Sequence, residues 1–246
     1  MEHFPSIIAH RGGRDWAPEN TLAAFRKSVE LGVDGVEFDV HRCASGELVV
    51  IHDDDLQRTT NGVGLVKDSS LPELKRLSAG LWFDKSFREE RIPLLTEVLD
   101  VLKPGMLIDI ELKNAPIGYE SIEEDLLSVI EPYRDRLDLA VSSFDHHCLK
   151  RLRALDSQIK IGVLCAANLI DVAEYAAKFN AEYYIQDYDC LLPEAVYEAK
   201  QAGLKVIVWT VNDLQRWQKL IDMGVDGICT DTPAELAVLR GNLLAK

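Results

Sequence analysis

No Cys-x-x-Cys pair occurs anywhere in the 246 residues, and the five cysteines, Cys43, Cys148, Cys165, Cys190 and Cys229, are odd in number and widely scattered. That spacing excludes a disulfide framework and predicts buried free thiols in a reducing compartment. No apolar run approaches the roughly 20 residues needed to cross a bilayer, so no membrane insertion is expected. The opening residues Met1-Glu2-His3-Phe4-Pro5 carry neither a basic segment nor an apolar signal-peptide core. The expected location is therefore cytoplasmic. A Gly-x-Ser-x-Gly elbow is also missing, which argues against a serine hydrolase. Positive charge is scarce: 27 Lys and Arg face 41 Asp and Glu, a net of −14, and no window is rich enough in basic residues to neutralise a run of phosphates. Nucleic acid and anionic membrane are thereby excluded as expected partners. A small phosphorylated substrate is not excluded, because a bound cation and a few local basic side chains decide the field inside a pocket. No linker or low-complexity tract breaks the chain, so residues 1–246 are read as one domain.

What is present is a rhythm. Short apolar runs of strand length begin at Ser6 to His10 and continue at Gly35 to Val40, Leu107 to Leu112, Leu139 to Phe144, Ile159 to Cys165, Glu182 to Gln186, Lys205 to Val211 and Gly227 to Asp231. Amphipathic segments lie between them. Asn20 is the expected cap of a helix bearing Leu22, Phe25 and Val29 on one face and ending at Gly32, and Asp213 opens another that ends at Gly224. Strand and helix alternating eight times predict a parallel sheet closed into a TIM-type (β/α)₈ barrel. The interval from about 41 to 93 breaks the rhythm. Ser45-Gly46 there predicts a hairpin, with Leu48 to His52 folding back on strand two, and Leu71 to Leu77 a short helix, in an excursion on the active-site side.

Alternate residues of a barrel strand point inward, and the chemically useful ones sit at its carboxyl end. Val36, Phe38 and Val40 share one parity, and Glu37 and Asp39 the other. Likewise Ile108, Ile110 and Leu112 face the helices, while Asp109, Glu111 and Lys113 face in. Carboxylates without thiolates are hard oxygen ligands, which select Mg²⁺ or Ca²⁺, with Mn²⁺ also allowed, over Zn²⁺. The alternative is that basic core residues satisfy them, and only Lys113 and Arg11 are at hand. Asp109, one layer deeper, is read as a polar core group held by its neighbours. His10 and His52 end their strands beside Arg11 and Asp53 and can serve as acid and base, with Asp53 orienting His52. His3, His41, His146 and His147 are read as structural. Arg11 offers a planar fork for a phosphate and Lys113 a point charge, unless both serve only as counter-ions. Trp209 is expected to face inward, as barrel packing or as a wall for an apolar part of the ligand.

These residues fall into ordered blocks: His10-Arg11-Gly12, Pro18-Glu19-Asn20-Thr21, Glu37-Phe38-Asp39-Val40, His52-Asp53 with Arg58-Thr59-Thr60-Asn61-Gly62, Glu111-Leu112-Lys113 and Trp209-Thr210-Val211-Asn212. The series spans nearly the whole chain and resembles the glycerophosphodiester phosphodiesterase family, in its compact cytosolic bacterial form. The resemblance implies a barrel that hydrolyses glycerophosphodiesters to glycerol 3-phosphate and an alcohol. It further implies Glu37, Asp39 and Glu111 as ligands of one divalent cation, His10 and His52 as the acid/base pair, and Arg11 and Lys113 as phosphate contacts. Glu19, in the same signature, is expected to hold the first loop or to join the outer shell of the metal.

The chemistry implied is attack by the glycerol 2-hydroxyl on phosphorus, then opening of the cyclic phosphate by water. Spacing leaves open which histidine begins as base. Two rivals share the sequence: an aldolase-like enzyme using Lys113 as a Schiff base, and a non-catalytic binding barrel. The second has no need of both histidines and three carboxylates together.

Overall fold

The computed structural model describes residues 4–244, so Met1, Glu2 and His3 and the expectations placed on them lie outside the described residues. The elements run β1 (Ser6–His10), α1 (Leu22–Leu31), β2 (Gly35–Arg42), β3 (Leu48–Val50), α2 (Leu71–Leu74), α3 (Leu95–Val101), β4 (Leu107–Leu112), α4 (Ile122–Ile130), β5 (Asp138–Ser143), α5 (His146–Leu155), β6 (Lys160–Cys165), α6 (Val172–Ala177), β7 (Tyr183–Asp187), α7 (Pro193–Gln201), β8 (Lys205–Trp209), α8 (Leu214–Met223), β9 (Gly227–Thr230) and α9 (Pro233–Leu244). Eight strands pair in parallel in the order β1-β9-β8-β7-β6-β5-β4-β2, and β1 also pairs with β2, which closes the ring. This is the expected TIM-type barrel. The extra strand β3 pairs antiparallel with β2, Val40 opposite Val50, and is the expected hairpin partner.

Strand parity sorts the side chains as the alternation requires. Val36, Phe38, Val40, Ile108, Ile110 and Leu112 are buried in the layer between strands and helices. Ile8, Ala140, Leu164, Tyr183, Ile185, Ile207 and Cys229 fill the barrel interior. Each such fully buried Ile, Leu or Phe side chain stabilises the fold by about 1.5–3 kcal/mol. The excursion carries a small core of its own, with Val49, Ile51, Leu56, Val66, Leu74 and Ile92 at its centre. Its short helix stops at Leu74 rather than Leu77.

Two helix starts separate expectation from outcome. Asp213 caps α8, accepting from the Arg216 amide, and α8 ends at a left-handed Gly224. At α1, however, the cap is Thr21, whose side chain accepts from the Ala24 amide, and not Asn20. Asn20 instead takes a left-handed backbone, φ 58°, and its side chain goes to the barrel mouth. The tetrapeptide Gly-Val-Asp-Gly occurs at Gly32 to Gly35 and again at Gly224 to Gly227 and does the same work in both places: Asp34 Oδ2 accepts from the Ile7 amide and Asp226 Oδ2 from the Val206 amide, each at 2.8 Å. All five cysteines are free, and four are buried; Cys190 is only half-buried.

Candidate active site

The loop leaving β1 sets the geometry of the site. Arg11, Gly12 and Gly13 all have left-handed backbone, at φ 51°, 81° and 90°. A Cβ on Gly12 would meet Ala24 Cβ at 2.8 Å, and one on Gly13 would meet the Trp16 ring at 2.4 Å, so both positions require glycine. Arg11 is not glycine, and its conformation costs on the order of 1–3 kcal/mol. Three bonds offset that cost: its amide donates to Glu37 Oε2 at 3.1 Å, its carbonyl accepts from the Asn20 amide at 2.9 Å, and its Nη1 donates to Glu19 Oε1 at 2.7 Å. Glu19 also receives Arg14 Nε at 3.0 Å and both terminal nitrogens of Arg58, at 2.8 and 2.9 Å. Burial alone would push its carboxyl up, but Arg58, Arg11 and Arg14 outweigh burial and hold it down to about 2. Glu19 therefore holds the first loop, one of the two roles expected of it. Its neighbour Asn20 is the residue that reaches the carboxylates, donating to Asp39 Oδ2 at 2.9 Å.

Glu37 and Asp39 on β2 stand beside Glu111 on β4, with Asp39 and Glu111 in direct register. One oxygen from each lies within 4.8 Å of the others, and all three residues are buried. Lys113 Nζ lies 2.5 Å from Glu111 Oε1 and 3.0 Å from Asp39 Oδ1, and Arg11 Nε lies 3.3 Å from Asp39 Oδ2. The two cations do not complete the charge balance. Burial, and then the charges of Asp39 and Glu111, push the Glu37 carboxyl well above the usual carboxylate range. Burial likewise pushes Glu111 up to about 7, against the pull of Lys113. At Asp39 burial works the same way, but Lys113 and Arg11 overcome it and hold the group well below its ordinary value. Asp39 Oδ1 and Arg11 Nε are buried and make no well-aligned hydrogen bond, so each is met by an ion-pair contact alone. A buried cluster of three carboxylates against two cations, with oxygen donors only, is the chemistry that a hard divalent cation completes.

The histidines approach from two sides. His10 Nδ1 pairs with Asp231 Oδ1 at 2.6 Å, and its Nε2 lies 3.9 Å from Glu37 Oε2. His52 Nδ1 pairs with Asp53 Oδ1 at 2.6 Å, as expected. In each case a carboxylate at Nδ1 leaves Nε2 as the nitrogen free to exchange a proton. Burial lowers both imidazoles below their ordinary value, partly countered by the neighbouring carboxylates. Each orienting carboxylate is itself held. Asn212 Nδ2 donates to Asp231 Oδ2 at 2.8 Å, and Arg58 Nε donates to Asp53 Oδ2 at 2.6 Å. Since Arg58 also grips Glu19, it ties the excursion to the first loop. His41, read as structural, donates from Nε2 to the His52 carbonyl at 3.0 Å. His146 donates to the Leu164 carbonyl at 2.8 Å, and His147 is exposed.

A cavity of about 480 Å³, counting its solvent-open space, joins these groups. Its lining combines polar His10, Arg11, Glu37, His52 and Glu111 with apolar Phe144, Leu164, Ile185, Ile207 and Trp209. Trp209 is on the wall, edge-on to Phe144 with ring centroids 5.6 Å apart. Asp39 and Lys113 are the two expected site residues that do not line it; Lys113 instead links Asp39 to Glu111. Asp231, Arg58 and Asn212 were given no role from sequence. The signals were available, since Asp231 follows the last strand and Arg58 and Asn212 lie within the recognised blocks.

The sequence model of the glycerophosphoryl diester phosphodiesterase family matches residues 10–235. The chain belongs to this family. A glycerophosphodiester phosphodiesterase of Caldanaerobacter subterraneus is 41% identical over 231 residues, covering 94% of this chain and 95% of that protein. The structure of an Oleispira antarctica phosphodiesterase in complex with the product sn-glycerol-3-phosphate superposes with a TM-score of 0.87 at 33% identity, covering 96% of both chains. The glycerophosphodiester phosphodiesterase of Thermotoga maritima superposes with a TM-score of 0.79 at 29% identity, covering 97% of this chain and all of that one. As a member of the glycerophosphoryl diester phosphodiesterase family, the chain is a phosphoric diester hydrolase, and the cavity at the barrel mouth is its candidate active site. Among the described residues no helix is long and apolar enough to cross a membrane.

Proposed function

We propose that this chain, working as one domain over residues 1–246, hydrolyses glycerophosphodiesters to glycerol 3-phosphate and an alcohol in the cytoplasm, on a small soluble substrate. The observation that carries the reading is the meeting of His10 and His52 in one cavity with Glu37 and Glu111, two members of a three-carboxylate cluster that Asp39 completes from behind the wall. Glu37, Asp39 and Glu111 would hold one divalent cation, Mg²⁺ or Ca²⁺ with Mn²⁺ also compatible. That cation supplies Lewis acidity and a template for the phosphodiester.

The chain's own residues do the rest. Arg11, on the cavity wall, presents donors to the phosphoryl oxygens as charge builds on them, and Lys113 adds positive charge from beside Glu111. One histidine accepts the proton of the glycerol 2-hydroxyl through Nε2 as that oxygen attacks phosphorus, and the other protonates the departing alcohol. Asp231 and Asp53 keep each ring in the orientation and tautomer that this exchange needs. Water then opens the cyclic phosphate with the roles of the histidines reversed. Trp209 and Phe144 form an apolar wall that excludes water from one side of the diester.

The Schiff-base alternative is disfavoured by the setting of Lys113. Burial lowers its pKa, but Asp39 and Glu111 overcome this and hold the ammonium charged, the opposite of a lysine activated as a nucleophile. The test is a panel of glycerophosphodiesters with different alcohols, followed by product analysis. Release of glycerol 3-phosphate supports the reading. Turnover of none of them in the presence of Mg²⁺, Ca²⁺ or Mn²⁺ would refute it.

A further inference from the structure

The floor of the cavity carries a polar pair that the chemistry above does not use. Asp109 on β4 is buried, faces the cavity and accepts a hydrogen bond from Ser142 Oγ on β5 at 2.8 Å. Among the described residues this is the one hydrogen bond to the Asp109 carboxyl, so Oδ2 is without a protein partner. The surroundings of the pair are apolar: Ile8, Leu164, Ile185, Ile207 and Cys229 make up the rest of the deep wall. A carboxyl in such a place costs free energy that an aliphatic side chain would not. Packing therefore gives no reason for it.

We propose that Asp109, supported by Ser142, determines substrate specificity by pairing with the terminal hydroxyl of the glycerol unit, the one that takes no part in attack on phosphorus. The proposal rests on the phosphodiesterase reading of the cavity. Asp109 precedes Glu111 by two residues on one strand and so lies about 6.6 Å farther from the mouth, measured along that strand, a distance that the carbon chain of glycerol can span from a phosphate held at the mouth. Away from the mouth cluster, and among the described residues, Asp109 and Ser142 are the cavity-lining residues with a carboxyl or hydroxyl group, while Trp209 Nε1, buried without a partner, offers a donor alone. A hydroxyl that reaches the floor and must donate has Asp109 and Ser142 as its acceptors. Either protonation state of the carboxyl can pair with a hydroxyl, so nothing turns on its charge. A phosphodiester of a two-carbon diol, lacking the third carbon, would leave the buried pair desolvated and unmatched, which is how a polar site rejects a truncated substrate.

The experiment compares kcat/KM for a glycerophosphodiester and for the 2-hydroxyethyl phosphodiester of the same alcohol, in the wild type and in Asp109→Ala, Ser142→Ala and Asp109→Asn. The wild type should prefer the glycerol compound by roughly 10- to 100-fold, the worth of a hydrogen bond to a polar or charged buried group. Asp109→Ala should bring the two substrates level, Ser142→Ala should narrow the gap, and Asp109→Asn, whose amide still pairs with a hydroxyl, should keep most of it. A wild type active on both without preference overturns the proposal and leaves the phosphodiesterase reading intact, as does a preference unchanged in Asp109→Ala. A wild type active on neither overturns both. Should Asp109→Ala not fold, Ser142→Ala and product inhibition decide: glycerol 3-phosphate must inhibit the wild type more strongly than ethanediol phosphate, and equal inhibition refutes the proposal.

Discussion

Asp231 Oδ1 stands 2.6 Å from His10 Nδ1, although 221 residues separate the two in sequence. They meet because β9 closes the barrel against β1, with Ala9 in register with Thr230. A histidine whose Nδ1 is so held presents Nε2 toward Glu37 and the cavity.

If both imidazoles transfer protons, His10→Ala and His52→Ala should each lower kcat by about 10²- to 10⁴-fold. Asp231→Ala should lower it by less, and adding Asp231→Ala to His10→Ala should cost almost nothing, because the two act as a unit. Steady-state release of glycerol 3-phosphate gives all of these values. Near wild-type kcat in a histidine variant would return that residue to a structural role.

Glu19 ties three arginines to the first loop, and its side chain is 1% exposed. Removing one partner from a buried ion pair costs about 3–5 kcal/mol, but Arg14 and Arg58 are partly exposed and water screens their share, so Glu19→Gln should be less stable by somewhat less than that in denaturant titrations at pH 7. Its folded pKa of about 2 lies below the ordinary carboxylate value, so the stabilisation is complete above the unfolded pKa and drains away as pH falls. The gap between wild type and Glu19→Gln should accordingly narrow from about pH 4.3 downward. A gap that stays constant or widens on acidification would mean that Glu19 acts by packing rather than charge.

The inward carboxylates were legible in the sequence because strand parity leaves no choice: once Val36, Phe38 and Val40 must face the helices, Glu37 and Asp39 must face the barrel. The pairing of Asp53 with His52 was legible because the two are adjacent. Asp231 was not assigned to His10, since that contact depends on which strand closes the ring and in what register. Asn20 and Thr21 are adjacent residues of capping type, and helix signals alone favour neither. The choice was made by Asp39, a residue on another strand, which draws the Asn20 amide away from the helix. The role of Arg58 is not legible for a similar reason, because its two carboxylates, Glu19 and Asp53, come from different loops.

Attack from within the substrate gains an intramolecular advantage that free water lacks. A glycerophosphodiester whose 2-hydroxyl is removed or methylated should therefore still bind, measured as competitive inhibition, yet turn over far more slowly. A 2-hydroxyethyl diester, which keeps a vicinal hydroxyl, should be turned over. Equal kcat for the parent substrate and its 2-deoxy analogue would show that water attacks phosphorus directly.

Most direct of all is turnover of a glycerophosphodiester before chelation, after exhaustive chelation, and after return of Mg²⁺, Ca²⁺ or Mn²⁺, with Glu37→Gln and Glu111→Gln measured alongside and their folding checked by circular dichroism. The account predicts activity lost on chelation and restored by at least one of these cations. It also predicts that both variants stay folded, bind the restoring cation more weakly in calorimetric titration, and lose activity with it. Full activity in metal-stripped protein, or variants that bind the cation and turn over substrate as the wild type does, would contradict it.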